Sequence, residues 1–106
     1  MTDWIQVAPV DDFPPGSRRA LDVDDVEVLV FNIGGEYLAI EDVCTHDYSS
    51  LDDGELDGEE IVCPRHGARF SVRSGEALCA PAYEPVATFP TMVKDDMVWV
   101  RDDRWD

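Results

Sequence analysis

The chain has 106 residues, 44% of them hydrophobic, and carries a formal net charge of −16 at pH 7. That length can build one hydrophobic core, so we expect a single domain over 1–106, and no apolar stretch approaches the roughly 20 residues of a membrane helix. The start has no basic or apolar signal segment, which predicts a cytoplasmic protein. The excess of acidic residues repels phosphate and anionic lipid, which predicts no nucleic-acid and no membrane partner.

Short apolar and β-branched runs between turn residues predict an all-β domain, with strands over 4–7, 26–33, 37–40, 68–72, 86–93 and 97–101. Gly34-Gly35 is typical of a two-residue hairpin, because glycine accepts the positive φ that such turns need. Lys94-Asp95-Asp96 is interpreted as the last turn. Residues 49–60, rich in Asp and Glu, are interpreted as an acidic connecting segment, and no helix longer than about one turn is expected.

Two short pairs of metal-binding residues are the chemical signal of the chain. Cys44 and His46 lie in CTH, Cys63 and His66 lie in CPRHG, and together they use both histidines and two of the three cysteines. Two thiolates and two imidazoles suit either an iron–sulfur cluster or zinc. Because each pair mixes the two residue types, whereas zinc fingers usually pair like with like, the pattern favours the cluster.

The remaining candidates carry less weight. Cys79 is expected to be a free, buried thiol without a role, and Trp4, Trp99 and Trp105 are interpreted as packing residues. Tyr48 is expected either to contact a partner or to pack its own loop. Three arginines lie within nine positions around the second pair and predict a local basic spot: Arg65, Arg69 and Arg73.

The spacing C-x-H, 16 residues, then C-x-x-H-G resembles that of the Rieske [2Fe-2S] proteins. The resemblance extends over nearly the whole chain. The resemblance implies one [2Fe-2S] cluster per chain, with Cys44 and Cys63 on a buried iron and His46 and His66 on an outer iron near solvent. It also implies the Rieske fold: an antiparallel β-sandwich-like core and a small cluster-binding subdomain of two loops, over about 43–82. Pro81 would lie in a loop that covers the cluster.

Departures from the Rieske proteins of cytochrome bc complexes bear on the redox potential. That subgroup joins its two ligand loops by a disulfide, and the matching positions here are Ser49 and Arg65. It also places hydroxyl donors where this chain has Ala68 and Phe70. Fewer donors to a negatively charged centre disfavour its reduced state, so we expect a potential at the low end of the roughly −150 to +300 mV Rieske range.

The expected function is one-electron transport. No histidine remains to hold the mononuclear iron of a Rieske oxygenase, and no dinucleotide-binding fingerprint is present. The resemblance therefore implies a ferredoxin that carries electrons from a flavin-containing reductase to a terminal ring-hydroxylating, non-haem iron oxygenase, docking transiently at the tip formed by His46 and His66. Two alternatives stay open: a small subunit of an NADH-dependent nitrite reductase, and a zinc-stabilised interaction module.

Overall fold

The computed structural model describes residues 4–45 and 48–104. Within them the chain is nearly all β, with 47% of residues in strands and 3% in helix, and every strand pair is antiparallel. The all-β antiparallel prediction is confirmed. No helix in this part of the chain is long and apolar enough to cross a membrane.

The strands form three sheets. In chain order they are β1 (Ile5–Pro9), β2 (Arg18–Val23), β3 (Val26–Ile33), β4 (Glu36–Glu41), β5 (Glu55–Asp57), β6 (Glu60–Val62), β7 (Arg69–Ser71), β8 (Ala77–Cys79), β9 (Thr88–Phe89), β10 (Thr91–Lys94) and β11 (Met97–Val100). The first sheet has the order β1-β11-β10, the second β2-β3-β4-β9 and the third β5-β6-β7-β8. One 3-10 turn, Val10–Asp12, follows β1.

Strand β3 explains how the layers stack. Val28 and Val30 lie in a core with the first sheet, whereas Leu29 and Phe31 lie in a second core with residues of the third sheet and its loops. Since successive side chains of a strand point to opposite faces, the second sheet is covered on both sides. A strand buried on both faces reads as a continuous apolar run, which is why VLVF in β3 does not alternate with polar residues.

The hairpin prediction at Gly34-Gly35 is confirmed. Both residues have positive φ, 63° and 94°, and they join β3 directly to β4. The same two-residue geometry recurs with aspartate pairs between β2 and β3 and between β10 and β11, at Asp24-Asp25 and Asp95-Asp96. Aspartate tolerates the left-handed region better than most side chains because it hydrogen-bonds locally. A pair of aspartates therefore forms the same two-residue turn here as the pair of glycines.

Four strands, β2, β5, β6 and β8, were not predicted from the sequence, and two predictions were wrong. The acidic segment is not a plain connection, since it contains β5 and begins β6, which pair with each other and then with β7. Strands β2 and β8 were likewise missed. The predicted strand over 86–93 divides at Pro90, which has no N–H to donate, so that β9 pairs with β4 and β10 pairs with β11 in another sheet.

The two tryptophans within the described residues, Trp4 and Trp99, are half-buried packing residues near the surface. Trp99 is half-buried in β11, and its indole N–H donates to the Lys94 carbonyl at 3.3 Å. Trp4 is also half-buried, and the Arg101 guanidinium lies 5.8 Å from its ring centroid. Trp105 lies outside the described residues.

Gly75 tests how tightly the third sheet packs on the segment before β9. It has φ +78°, and a Cβ there would lie 2.2 Å from the Val86 carbonyl oxygen, whereas Gly35 at φ +94° has nothing within 4 Å of such an atom. We predict that Gly35→Ala costs about 1–2 kcal/mol of left-handed strain and that Gly75→Ala costs about 1–3 kcal/mol more. Urea unfolding followed by circular dichroism measures both, and equal losses would contradict the clash.

Candidate metal centre

Cys44 opens a tight loop that is closed by its own backbone. The Cys44 N–H donates to the Ser49 carbonyl at 2.8 Å, and the Tyr48 N–H donates back to the Cys44 carbonyl at 2.6 Å. Tyr48 has φ 62°, a left-handed conformation that costs a residue with a Cβ about 1–2 kcal/mol. The loop therefore holds the cysteine at a fixed place in a conformation that ordinary propensity does not favour.

Cys63 opens a second loop with the same backbone pattern. Its N–H donates to the Ala68 carbonyl at 2.7 Å, and the Gly67 N–H donates to the Cys63 carbonyl at 3.1 Å. The offsets of five and four residues equal those of the first loop, and Gly67 takes the left-handed position with φ 77°. The chain thus builds one loop motif twice, with a cysteine at the same place in each.

The two loops bring both cysteines into the same buried cluster of side chains. Cys44 is 0% exposed and Cys63 is 1% exposed, and both belong to the core that includes Phe31 and Phe70. His66, three residues after Cys63, is exposed. The structure therefore places a thiol pair inside and an imidazole at the surface, while the predicted ligand His46 lies outside the described residues.

This donor set fits an iron–sulfur cluster with thiolate ligands on the inside. Neither thiol forms a disulfide, and two thiolates in an apolar core need a cation to offset their lost hydration. Within residues 4–45 and 48–104, no three His, Cys, Asp or Glu side chains are grouped so that they could hold a single metal ion.

A third segment lies against the first ligand loop, which begins at the predicted ligand Cys44, as the second ligand loop begins at the predicted ligand Cys63. The Thr45 hydroxyl donates to the Glu84 carbonyl at 2.7 Å, and Pro81 and Tyr83 line a shallow pocket of about 390 Å³ together with Thr45, Tyr48 and Glu84. Pro81 thus belongs to a segment that contacts the loop of Cys44, and its position over the cluster stays a prediction. Tyr48 and Tyr83 are 78% and 83% exposed, so this segment adds aromatic surface next to the ligand loops.

Cys79 is free, as expected, but the expectation that it is buried was wrong. It is exposed at the end of β8. Because β8 is the outer strand of the third sheet, next to β7, one of its edges has no neighbouring strand among the described residues. The Cys79 thiol lies 3.7 Å from the Gly67 carbonyl and donates to it.

The predicted basic spot does not form, because two of its three arginines are neutralised by carboxylates. Arg69 pairs with Asp57 at 3.0 Å and with Glu60 at 3.3 Å, all within the third sheet. These acids come from the segment that the sequence analysis interpreted as a connection. Arg65 is exposed in the second ligand loop.

Arg73 connects the third sheet to the second. Its guanidinium donates to both carboxylate oxygens of Glu36, at 2.8 and 2.9 Å, and to both of Glu59, at 2.9 and 3.0 Å. Glu36 begins β4 and Glu59 lies in the turn between β5 and β6. Hydrogen bonds from Arg73 lower the pKa of Glu36 and of Glu59. One side chain thus fixes the sheet that carries the second ligand loop against the central layer.

One contact at the centre was not predicted from the sequence. The Ser49 hydroxyl, in the first ligand loop, lies 3.9 Å from the Cys63 sulfur in the second. The resemblance had marked Ser49 as the place of an absent cysteine, and no local pattern signals a contact across 14 positions. Ala68 and Phe70 are fully buried, and neither side chain has a hydroxyl.

These features define a class of protein. The profile of the Rieske [2Fe-2S] domain family matches residues 3–90, which covers most of the chain, including both ligand loops. The chain belongs to the Rieske [2Fe-2S] domain family, and one [2Fe-2S] cluster is its cofactor. Family membership decides for the cluster over the zinc-stabilised alternative.

Known relatives narrow the class. The chain is 35% identical over 99 residues to the ferredoxin component of the naphthalene 1,2-dioxygenase/salicylate 5-hydroxylase systems of Ralstonia sp, covering 93% of this chain and 95% of the relative. It is 38% identical to the 3-phenylpropionate/cinnamic acid dioxygenase ferredoxin subunit of Escherichia coli K12, covering 91% of each. A chain of the solved complex of reduced oxygenase and oxidized ferredoxin in carbazole 1,9a-dioxygenase matches with a TM-score of 0.88 and 35% identity, covering 95% of this chain and 94% of that one.

We predict that Arg73→Met lowers the urea midpoint at pH 7 and that the loss relative to the unmodified chain shrinks in acid. The pKa of Glu36 and of Glu59 is lowered from 4.5 in the folded state, so their stabilisation is complete above the ordinary carboxyl pKa and disappears as the pH falls through the lowered values. Circular dichroism from about pH 7 to about pH 3 measures the difference.

A double variant supplies the control for this experiment. In the Arg73→Met background, Glu36→Gln should change the pH dependence little, because the partner that lowers the pKa is already absent. A loss on Arg73→Met that is the same at every pH would contradict the role of the carboxylates.

Proposed function

We propose that this chain is a one-electron carrier that holds its cluster on Cys44, His46, Cys63 and His66. The observation that carries the proposal is the repeated loop motif, which places a buried thiol at the same position in each of two converging loops. In this assignment the two thiolates bind the inner iron and the two imidazoles bind the outer iron. We also propose one domain over 1–106, with the cluster-binding subdomain at about 43–82.

The residues around the centre suit electron transfer without further chemistry. When bound, the cluster accepts and releases one electron at a time. Burial of Cys44 and Cys63 keeps water from the inner side, and exposure of His66 brings the outer side to the surface where a partner can approach. Both histidines of the chain are used in this assignment, so the chain transports electrons for an enzyme and is not itself the enzyme.

A terminal oxygenase is the electron acceptor in this proposal. Support comes from the relatives named as dioxygenase ferredoxins and from the solved complex of an oxygenase with a ferredoxin. A flavin-containing reductase is the electron donor, since a one-electron carrier within such a system needs a source of reducing equivalents. The relatives serve different aromatic substrates, and the substrate of the partner oxygenase is left open. The cytoplasmic location stays a prediction.

Docking takes place at the tip formed by the ligand histidines and the exposed aromatic residues beside them. Tyr48, Pro81 and Tyr83 line the shallow pocket beside the first loop, and exposed aromatic residues are enriched at protein interfaces. The net charge of −16 favours partners with a positive docking surface, because opposite charge raises the rate of encounter. The contact is transient, since each electron requires a new partner.

His66→Ala tests the ligand assignment. We expect the unmodified chain to purify red-brown with two irons per chain and a rhombic EPR signal on reduction, and the variant to lose iron and signal, because the outer iron loses half its protein ligands. Arg65→Ala, next to His66 but not a ligand, should keep both. One zinc per chain, or an unchanged signal in His66→Ala, would refute the proposal.

Tyr83→Ala tests the docking tip. We expect it to slow reduction by a flavin-containing reductase several-fold while the EPR signal and the midpoint potential stay unchanged, because only the contact surface is altered. Val93→Ala is the control, since Val93 is also an exposed apolar residue, 53% exposed, but lies in β10 of the first sheet. Stopped-flow absorbance gives the rates, and equal effects of the two substitutions would place docking elsewhere.

A further inference from the structure

Ser49 joins the two ligand loops through different parts of one residue. Its carbonyl accepts the Cys44 N–H at 2.8 Å, which fixes the backbone in the first loop. Its hydroxyl lies 3.9 Å from the Cys63 sulfur of the second loop. Leu51, two residues later, is fully buried, which anchors the chain after this half-buried serine. The hydroxyl is therefore placed by the fold rather than by free rotation of a surface loop.

The direction of the contact follows from the state of the sulfur. Between a free thiol and a hydroxyl, either atom can donate, but a sulfur bound to iron carries no proton and can only accept. In the proposed ligand assignment the Ser49 O–H must then be the donor. A hydrogen bond to a charged acceptor is stronger than one between neutral groups.

We propose that Ser49 is a positioning residue for Cys63 that raises the redox potential of the cluster. The reduced cluster carries one more negative charge than the oxidised one, so a donor to its thiolate stabilises the reduced state more. Ala68 and Phe70 have no hydroxyl, so their side chains do not replace this donor. The inference rests on the proposed function, because it requires Cys63 to be a ligand.

The adjacent serine offers a matched control within the same segment. The Ser50 hydroxyl donates to the Asp42 carboxylate, at 2.9 Å from one oxygen and 3.1 Å from the other, and accepts the Asp52 N–H at 3.1 Å. Ser50 is exposed and its hydroxyl is engaged with Asp42. Ser50→Ala therefore removes one hydroxyl from the same loop, but from a carboxylate contact rather than from a sulfur contact.

The test compares the midpoint potentials of Ser49→Ala, Ser49→Thr and Ser50→Ala with that of the unmodified protein, by voltammetry of the cluster-loaded chain. We expect Ser49→Ala to shift the equilibrium toward the oxidised form by up to about tenfold, which is 59 mV for one electron. Ser49→Thr keeps a hydroxyl and should stay near the unmodified value, as should Ser50→Ala. An unchanged potential in Ser49→Ala, or an equal shift in all three variants, would overturn the inference.

A second measurement detects the hydroxyl proton directly rather than through the potential. Electron–nuclear double resonance of the reduced unmodified protein, in water and in deuterium oxide, should reveal an exchangeable proton coupled to the cluster, and Ser49→Thr should retain it while Ser49→Ala loses it. The same proton present in Ser49→Ala would exclude the Ser49 hydroxyl as its source. This failure differs from failure of the ligand assignment, in which His66→Ala would keep the cluster.

Discussion

Strand β3 is buried on both faces, with Val28 and Val30 against the first sheet and Leu29 and Phe31 against the core that holds the two thiols. The rest of the structure depends on this double burial. Each buried aliphatic side chain contributes about 1.5–3 kcal/mol through removal from water, and a strand covered on both sides cannot move relative to either layer without exposing one of them. The two cysteines of the metal centre pack in the core on one face of this strand, so their position depends on its burial.

The ligand loops combine two kinds of fixation. Each loop is closed locally by a pair of backbone hydrogen bonds around its cysteine, and the sheet that carries the second loop is fixed to the central layer by Arg73. The local closure sets the direction of the sulfur, and the packing sets the distance between loops. Part of the acidic surface supports the site indirectly, because Asp57, Glu36 and Glu59 pair with Arg69 and Arg73 in the third sheet and its turns.

Strands and turns with a strong local pattern were predicted from the sequence, whereas strands and contacts that depend on residues far along the chain were missed. Strand β3 and the Gly34-Gly35 turn are strong local patterns, and the predicted limits of β3 match the observed ones. Strands β5, β6 and β8 have three residues each, too few for periodicity, and form because neighbours supply hydrogen bonds. The predicted thiols converge in one core, whereas the exposure of Cys79 and the contact of Ser49 with Cys63 depend on loop placement that no run of residues encodes.

Ser49 contributes both to the packing of the two loops and to the proposed redox properties of the cluster. In the Rieske proteins of cytochrome bc complexes, which the sequence resembles at its ligand pairs, a disulfide joins the two loops. Here the position holds a hydroxyl that reaches the other loop's cysteine without a covalent bond. A disulfide constrains the chain whatever the oxidation state of the cluster, whereas a hydrogen bond to sulfur strengthens as negative charge accumulates there. Ser49 therefore holds the two loops together and also affects the redox potential, because its hydrogen bond to Cys63 becomes stronger each time the cluster is reduced.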